Sequence, residues 1–255
     1  MEQQYISVAT VNAREGDFIR SPRLRQFPAI DVLLLQEVEE DRDNLNYRLH
    51  RELGMYCVAS SDTMKTAIAI SERVTPIETW EEIYDPCSVL GAFMLRNLDE
   101  SSSRRRHFRE RGLLGAGLRL TTHSGDHDLT AVTSHLMVPS RPRTRAKHLR
   151  RIMPLLKHTE GPVIFGGDMN SWPSPRAADL ELQHELDMER ADIGTQATWH
   201  AHKSNNMQKY LARFAPVDAQ MDAILFRGFS SSRPSASYVV DIDSDHNAVV
   251  THIPL

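Results

Sequence analysis

The chain has 255 residues, of which 40% are apolar and 25% are charged, and its formal net charge is −4. These ordinary values predict one globular domain over residues 1–255 with a sizeable core, and they exclude a surface that is basic throughout. Two cysteines exclude a disulfide framework. Because no signal peptide or long apolar run is visible, we expect a cytoplasmic protein without stable membrane insertion.

The first two predicted strands are each followed by a polar side chain. The apolar run 6–9 precedes Asn12, and the run 32–35 precedes Glu37. Short apolar runs of this kind predict buried strands, and α/β sheets bind ligands at the carboxyl ends of their strands. Glu37 is therefore a candidate metal ligand. The alternative is a surface glutamate that opens the helix predicted over residues 40–53.

Strands are predicted over residues 55–59 and 66–70, and a basic segment follows at 104–111. This segment and residues 141–151 together hold eleven of the thirty Lys and Arg residues. A solvated face is the alternative interpretation of the first segment. The second segment closely follows His135, so we predict that Arg141 and Arg143 bind phosphate oxygens, for which a guanidinium group is well suited.

Histidine 135 itself follows the run 129–132, which we interpret as a strand. A lone histidine after a strand is usually structural, and the neighbouring polar motifs favour a functional role here. The next predicted element is a helix over residues 144–157, because its leucines and isoleucine recur at helical spacing. Pro154 lies inside that helix and is expected to kink or shorten it.

The motif Gly166-Gly167-Asp168-Met169-Asn170 directly follows the apolar run 163–165. We interpret the run as a buried strand and the two glycines as the point at which the chain turns. Alternate residues of an extended backbone point the same way, so Asp168 and Asn170 are expected to face one target. A carboxylate beside a carboxamide suits Mg²⁺ and phosphate. The alternative is a polar loop after a core strand.

Three further polar sites lie near the end of the chain. Asp222 precedes the run 223–226, and the pair Asp245-His246 stands between two apolar runs. A histidine oriented by a carboxylate acts as a general base or stabilises a phosphoryl oxygen. Trp199 is a candidate for stacking on a base, with core packing as the alternative.

Taken in order, these sites resemble the endonuclease/exonuclease/phosphatase superfamily, which includes the DNase I-like nucleases. The resemblance runs from Asn12 to His246 and is carried most specifically by the GGDMN and SDHNAV motifs. It implies an α/β fold, a four-layer α/β/β/α sandwich in which helices flank two packed mixed β-sheets. It also implies hydrolysis of a phosphoester at the rim of the sheets with Mg²⁺ or Mn²⁺.

The resemblance also implies roles for the matched residues. The metal site is implied at Asn12, Glu37 and Asp245, with Glu37 as the principal ligand. The catalytic set comprises His135, Asp168, Asn170, Asp222 and His246. Within it, Asp168 orients or deprotonates the attacking water, and Asp222 orients His246. Asn170 and His135 are implied to bind the phosphate.

The chain differs from members of the family at three places. Its first motif reads Thr-Val-Asn-Ala-Arg, where many relatives have an aromatic residue before the Asn and an apolar one after it. Residues 63–66 contain no acid, whereas DNase I-related nucleases carry an acidic partner for the histidine there. His135 also stands where the apurinic-site nucleases have an Asn.

We therefore predict a Mg²⁺-dependent phosphodiesterase or nuclease that acts on nucleic acid or on a nucleic-acid end adduct. The Thr-Ser-His-Leu and Thr-Trp segments are similar to the branch that cleaves tyrosyl–DNA phosphodiesters. One alternative is a phosphatase or phosphodiesterase for a small or lipid phosphate, such as an inositol phosphate or sphingomyelin. Another is a non-catalytic binding module. The sequence leaves endo- or exo-cleavage, the number of metal ions and the oligomeric state open.

Overall fold

The computed structural model describes residues 4–14, 16–85, 111–136, 142–169, 177–200, 218–229, 236–242 and 244–255. Strand β1 (Tyr5–Asn12) lies within the first of two six-stranded sheets. The strands of this sheet lie in the order β13 (Ala236–Val240), β14 (Ala248–Pro254), β1, β2 (Val32–Gln36), β4 (Thr66–Ile70) and β3 (Tyr56–Ser61). Strands β1 and β2 run parallel, and the other described pairs of this sheet are antiparallel.

The second sheet has the same mixture of strand directions. Its order is β5 (Val74–Asp85), β6 (Arg111–Thr122), β7 (Gly125–His135), β8 (Val163–Asp168), β12 (Asp222–Arg227) and β9 (Glu189–Arg190). Here β7 and β8 are the parallel pair. A separate two-stranded pair joins β10 (Trp199–His200) to β11 (Asp218–Ala219). The prediction of two mixed sheets is confirmed.

Helices cover the outer faces of the sheets. Helix α1 (Asp17–Arg20), a 3₁₀ helix (Pro22–Gln26) and α2 (Arg42–Leu53) precede the β3–β4 hairpin in the chain. Helix α3 (Pro142–His158) connects β7 to β8, and α4 (Ala177–Leu186) comes after β8. None of the helices in the described ranges is both long and apolar enough to span a membrane.

Alternation of side chains along the strands produces three separate apolar layers. In β1, Ile6 and Val8 join the cluster between the sheets, whereas Ala9 and Val11 join the cluster beneath α1 and α2. In β8, Ile164 faces the first of these clusters and Phe165 packs in a third cluster with residues of α3 and α4. Three apolar interfaces require four layers, which confirms the α/β/β/α sandwich. Burying each such large side chain contributes about 1.5–3 kcal/mol.

Several predicted boundaries shift in the structure. Helix α2 begins at Arg42 rather than at residue 40, because the Asp41 side chain caps it by accepting a hydrogen bond from the Asn44 amide at 3.0 Å. Helix α3 extends one residue past its predicted end and continues beyond Pro154, so the proline does not shorten it. Strand β3 covers residues 56–61 instead of 55–59.

The interpretation of Gly166 and Gly167 as a turn is wrong. Both residues lie inside β8, which continues to Asp168 with all six residues buried. A Cβ atom at Gly167 would lie 2.0 Å from the carbonyl oxygen of Ser134, and one at Gly166 would lie 2.6 Å from Leu34 Cδ1. The glycines therefore serve close packing inside a strand rather than chain reversal.

Candidate active site

The predicted site residues lie at one edge of both sheets. Among the parallel strands, β1 ends at Asn12, β7 ends at His135 and β8 ends at Asp168. Glu37 directly follows β2. In both sheets, the side chains that face the space between the sheets are apolar in the core and become polar at this edge. Period-two alternation thus carries functional side chains into the space between the sheets.

Pairing within the second sheet aligns three of these residues. His135 is opposite Asp168 in the β7–β8 register, and Asp168 is opposite Asp222 in the β8–β12 register. The ladder continues past the strand ends, since the Leu136 amide donates to the Asp168 carbonyl at 2.9 Å. This register fixes the spacing of the three functional side chains.

The carboxylate of Asp168 is the point where polar side chains converge. Its Oδ2 atom accepts a hydrogen bond from Asn12 Nδ2 at 3.0 Å, which links the two sheets. His135 Nε2 lies 3.5 Å from the same oxygen, and His246 Nε2 lies 3.8 Å from it. The Asp168 side chain is only 2% exposed, so these interactions occur in a medium of low dielectric constant.

Glu37 leaves the sheet with an unusual backbone conformation. Its φ angle of 55° is in the left-handed region, which a non-glycine residue occupies at a cost of about 1–3 kcal/mol. The preceding Gln36 points inward, where its Nε2 donates to Thr133 Oγ1 at 2.9 Å and to Thr10 Oγ1 at 3.1 Å. These bonds anchor the end of β2, and Glu37 Oε1 then lies 3.8 Å from His135 Nε2.

His246 is held by a buried carboxylate. Its Nδ1 atom donates to Asp222 Oδ2 at 2.8 Å, and its backbone amide donates to Ser244 Oγ at 3.2 Å. Burial lowers the pKa of His246, but the carboxylates of Asp222, Asp168 and Asp245 outweigh burial and raise that pKa to about 10. The hydrogen bond from Nδ1 to Asp222 fixes the ring in one orientation, with Nε2 on the side of Asp168.

Thr198 connects the two segments that carry this pair. It is fully buried, and its Oγ1 atom accepts hydrogen bonds from the amides of Met221 at 2.8 Å and Asp222 at 2.9 Å. Its carbonyl oxygen accepts from the Asn247 amide at 2.6 Å. The next residue, Trp199, forms a β-bridge with His246. Thr198 thus fixes Asp222 and His246 relative to each other.

The charges of the site suit a divalent cation. The carboxylates of Glu37, Asp168, Asp222 and Asp245 gather at this edge, and Asp245 Oδ1 lies 3.7 Å from Arg14 Nε. Ligand atoms of Asp168, Asp222 and His246 lie within 4.8 Å of one another. The Oδ1 atom of Asp222 is buried without a hydrogen-bond partner among the described residues. Surplus negative charge and oxygen donors fit Mg²⁺ or Mn²⁺.

The structure describes the side chains of eight of the eleven predicted site residues. Asn12, Glu37, His135, Asp168, Asp222, Asp245 and His246 come together at the sheet edge, and half-buried Trp199 pairs with His246. Asn170 and Arg141 fall outside the described residues. Arg143 lies in α3, and the structure describes its backbone but not its side chain.

Sequence reasoning missed residues that act through the backbone. Thr198 and Ser244 hold the segments around Asp222 and His246, and the buried Arg111 donates from Nη1 to the His135 carbonyl oxygen at 3.2 Å. Ser244 belongs to the SDHN motif, so its position next to Asp245 was a usable signal. The roles of Thr198 and Arg111 depend on partners distant in sequence, and the sequence contained no local signal for them.

Residues 10–246 match the profile of the Endonuclease/Exonuclease/phosphatase family. The chain belongs to this family. Family members are metal-dependent phosphoester hydrolases, and the protein is an enzyme of that class. No curated protein sequence is similar enough to register as a match.

Solved structures with the same fold cover nearly the whole chain. D. rerio TDP2 complexed with single strand DNA product has a TM-score of 0.65 at 19% identity, over 99% of this chain and 100% of that one. A mutant beta toxin from Staphylococcus aureus with bound magnesium ions has a TM-score of 0.65 at 13% identity, over 98% and 100%. A functionally unknown conserved protein from Enterococcus faecalis has a TM-score of 0.66 at 18% identity, over 98% and 100%. At these identities the similarity shows the fold.

Proposed function

We propose that the protein hydrolyses a phosphodiester in nucleic acid or in a nucleic-acid end adduct, by direct attack of water with a Mg²⁺ or Mn²⁺ ion bound. The observation that supports this proposal is the convergence of Asn12, His135 and His246 on the Oδ2 atom of Asp168. A buried carboxylate among donors is able to orient a water molecule against an anionic phosphorus centre. The similarity to TDP2 with a single-stranded DNA product favours a nucleic-acid substrate.

The chain's own residues have distinct tasks in this reaction. Asp168 accepts a hydrogen bond from the attacking water and then its proton, while Asn12 holds the carboxylate in place. His246, oriented through Nδ1 by Asp222, presents Nε2 to a phosphoryl oxygen. His135 and Asn170 bind the phosphate, and each donor offsets negative charge on its oxygens.

The same edge supplies the metal ligands. Glu37 is the principal ligand in this proposal, and Asn12 and Asp245 complete the site directly or through water. When bound, the ion neutralises negative charge that develops on the phosphoryl group. Arg141, Arg143 and Trp199 are proposed to bind the substrate, through phosphate contacts and base stacking respectively.

A phosphodiesterase or phosphatase for a small or lipid phosphate is the second candidate. The residues at the sheet edge recognise a phosphoester group without reading the rest of the substrate, so one fold serves many substrates. The beta toxin with bound magnesium ions shares this fold. Substrate selection then depends on the loops that surround the edge.

The deciding experiment is a cleavage screen of the purified protein beside its Asp168→Ala variant, with Mg²⁺ or Mn²⁺. The panel contains single- and double-stranded DNA, RNA, a 5′-tyrosyl oligonucleotide, inositol phosphates and sphingomyelin. We expect metal-dependent cleavage of a nucleic-acid substrate that falls by about 10²- to 10⁴-fold in the variant. Turnover of only a small or lipid phosphate would replace the nucleic-acid proposal with the second candidate. Wild-type turnover by the variant would refute the role of Asp168.

A further inference from the structure

Away from the candidate active site, helix α1, the 3₁₀ helix and α2 surround a cavity of about 300 Å³. The charged residues of its lining are four arginines and one carboxylate: Arg20, Arg25, Arg48, Arg51 and Glu52. None of the residues assigned to the active site lines it. The volume accommodates a phosphate group with several waters, since one water occupies about 30 Å³ of liquid.

The single carboxylate of the lining does not balance the arginines. Glu52 is 9% exposed and accepts hydrogen bonds from both Arg25 and Arg51. One carboxylate therefore neutralises one of these two guanidinium groups. Arg20 has ion pairs to Asp17 and Glu40, each at an N–O distance of 3.6 Å, which is longer than a charge-assisted hydrogen bond.

Arg48 is compensated only at longer range. It is half-buried, and no hydrogen bond or close ion pair joins it to another described residue, but its charge acts on the Glu40 carboxylate and lowers the pKa of that group, which burial raises. Arg51 stands one turn further along α2, so both side chains leave the same face of the helix. Like charges at this spacing repel each other, and a bound anion would convert that repulsion into attraction.

We propose that this cavity binds a phosphate group in the backbone of a nucleic-acid strand whose scissile phosphodiester occupies the active site. The inference rests on the proposed function. Guanidinium groups bind phosphate oxygens through paired hydrogen bonds, and the lining offers several of them. Because the chain as a whole carries a net charge of −4, attraction of a polyanion requires a local basic surface such as this one.

The position of the cavity is consistent with one strand that reaches both places. Helix α1 follows Asn12 by five residues and α2 follows Glu37 by five, so both helices leave the sheet edge that carries the site. Arg48 lies six residues after Arg42, which is about 9 Å along the helix axis at 1.5 Å per residue. A short phosphodiester fills the active site without reaching the cavity, whereas a longer strand contacts both.

The test compares the wild type with the variant Arg48→Gln/Arg51→Gln, and with Arg48→Gln alone, which removes no hydrogen bond or close ion pair among the described residues and leaves the Arg51–Glu52 pair intact. Arg119→Gln is the matched control, since this exposed arginine on β6 pairs with Asp128. Binding of a fluorescein-labelled 20-nucleotide single-stranded DNA is measured by anisotropy in EDTA at several salt concentrations. We expect the double variant to bind at least fivefold more weakly. The slope of the logarithm of the binding constant against the logarithm of the salt concentration should be shallower by about one.

Turnover of bis(p-nitrophenyl) phosphate, which is too small to reach the cavity, should be unchanged in both cavity variants. Wild-type affinity and salt slope in the double variant would overturn the inference, as would an equal loss of turnover on the small substrate. Arginine-dependent binding without cleavage of any nucleic acid would refute the proposed function, and with it the placement of a scissile phosphodiester in the active site, while the binding of a nucleic-acid phosphate by the cavity would stand. Cleavage of nucleic acid by the wild type, together with unchanged binding by the double variant, would support the proposed function and refute the cavity assignment.

Discussion

The Oδ2 atom of Asp222 accepts a hydrogen bond from His246 Nδ1 at 2.8 Å, while its Oδ1 atom is buried without a partner among the described residues. A buried carboxylate with an unsatisfied oxygen carries a desolvation cost that a purely structural aspartate would avoid. The pair therefore fits a functional role, in which Asp222 fixes the ring and keeps Nε2 on the side of Asp168.

Asp222→Asn should lower kcat by about 10²-fold or more, because the amide no longer stabilises a positive charge on His246. The fold should persist, since Asn retains the shape of the side chain. Steady-state kinetics on the substrate found in the screen, beside far-UV circular dichroism, checks this expectation. Asp128→Asn, which removes an exposed carboxylate on β7, is the control. Normal kcat in Asp222→Asn would remove the residue from the catalytic set.

Thr198→Val should cost about 2 kcal/mol of folding stability, because two buried amides lose their acceptor. For a chain of this size that corresponds to a fall in Tm of roughly 4–8 °C. The Asp222–His246 geometry should loosen as well, so kcat should fall more than KM changes. Thr198→Ser keeps the hydroxyl group and should therefore retain most of the folding stability and most of kcat. If Val and Ser variants behave alike, the hydroxyl group does not position the pair.

A pH-dependent effect is expected at Glu40, outside the catalytic set. Its side chain is 9% exposed, neither carboxylate oxygen has a hydrogen-bond partner among the described residues, and burial raises its pKa. A raised carboxyl pKa means that the folded state binds the proton more tightly than the unfolded state. This group therefore favours folding below its unfolded pKa and opposes it increasingly as the pH rises through the folded pKa.

Glu40→Gln should accordingly raise Tm relative to the wild type at pH 7, with a smaller difference at pH 4. The lost ion pair to Arg20 offsets little of this gain, because its N–O distance is 3.6 Å. Thermal unfolding of both proteins across this pH range measures the difference. Glu39→Gln, at a half-buried neighbour that pairs with Lys65, is the control. A gain in Tm that is the same at every pH would contradict the raised pKa of Glu40 as its cause.

The sequence was sufficient to predict the architecture and the meeting of polar residues at one sheet edge, because both follow from short apolar runs that are bounded by polar residues. The run 32–35 is apolar throughout because both faces of β2 are buried, and the polar residues Asn12 and Glu37 stand where β1 and β2 end. The failures concern contacts between segments. Nothing near Gly167 reveals the Ser134 carbonyl that packs against it, and nothing near Thr198 reveals the amides of residues 221 and 222.

Gly167→Ala tests the finding that the two glycines lie in a strand. The added methyl group would lie 2.0 Å from the backbone oxygen of Ser134, which has little freedom to move. We expect a loss of roughly 3 kcal/mol from overpacking, together with a displaced His135–Asp168 pair and reduced kcat.

Gly166→Ala is the matched comparison, since its new methyl group meets the end of the flexible Leu34 side chain. Its expected loss is only about 1 kcal/mol, and chemical denaturation measures both variants. Equal tolerance of alanine at the two positions would contradict the close approach of β7 and β8 at Gly167.

Glu37→Gln tests the metal assignment. Gln keeps the length of the side chain and removes its charge, so affinity for a hard divalent cation should fall. We expect the Mg²⁺ concentration for half-maximal activity to rise by about tenfold or more, with kcat partly recovered at saturating Mg²⁺. Glu39→Gln is the control, because Glu39 pairs with Lys65 at 3.8 Å instead of facing His135. Isothermal titration of Mg²⁺ into each protein separates metal binding from turnover, and an unchanged Mg²⁺ affinity in Glu37→Gln would show that another carboxylate at this edge holds the ion.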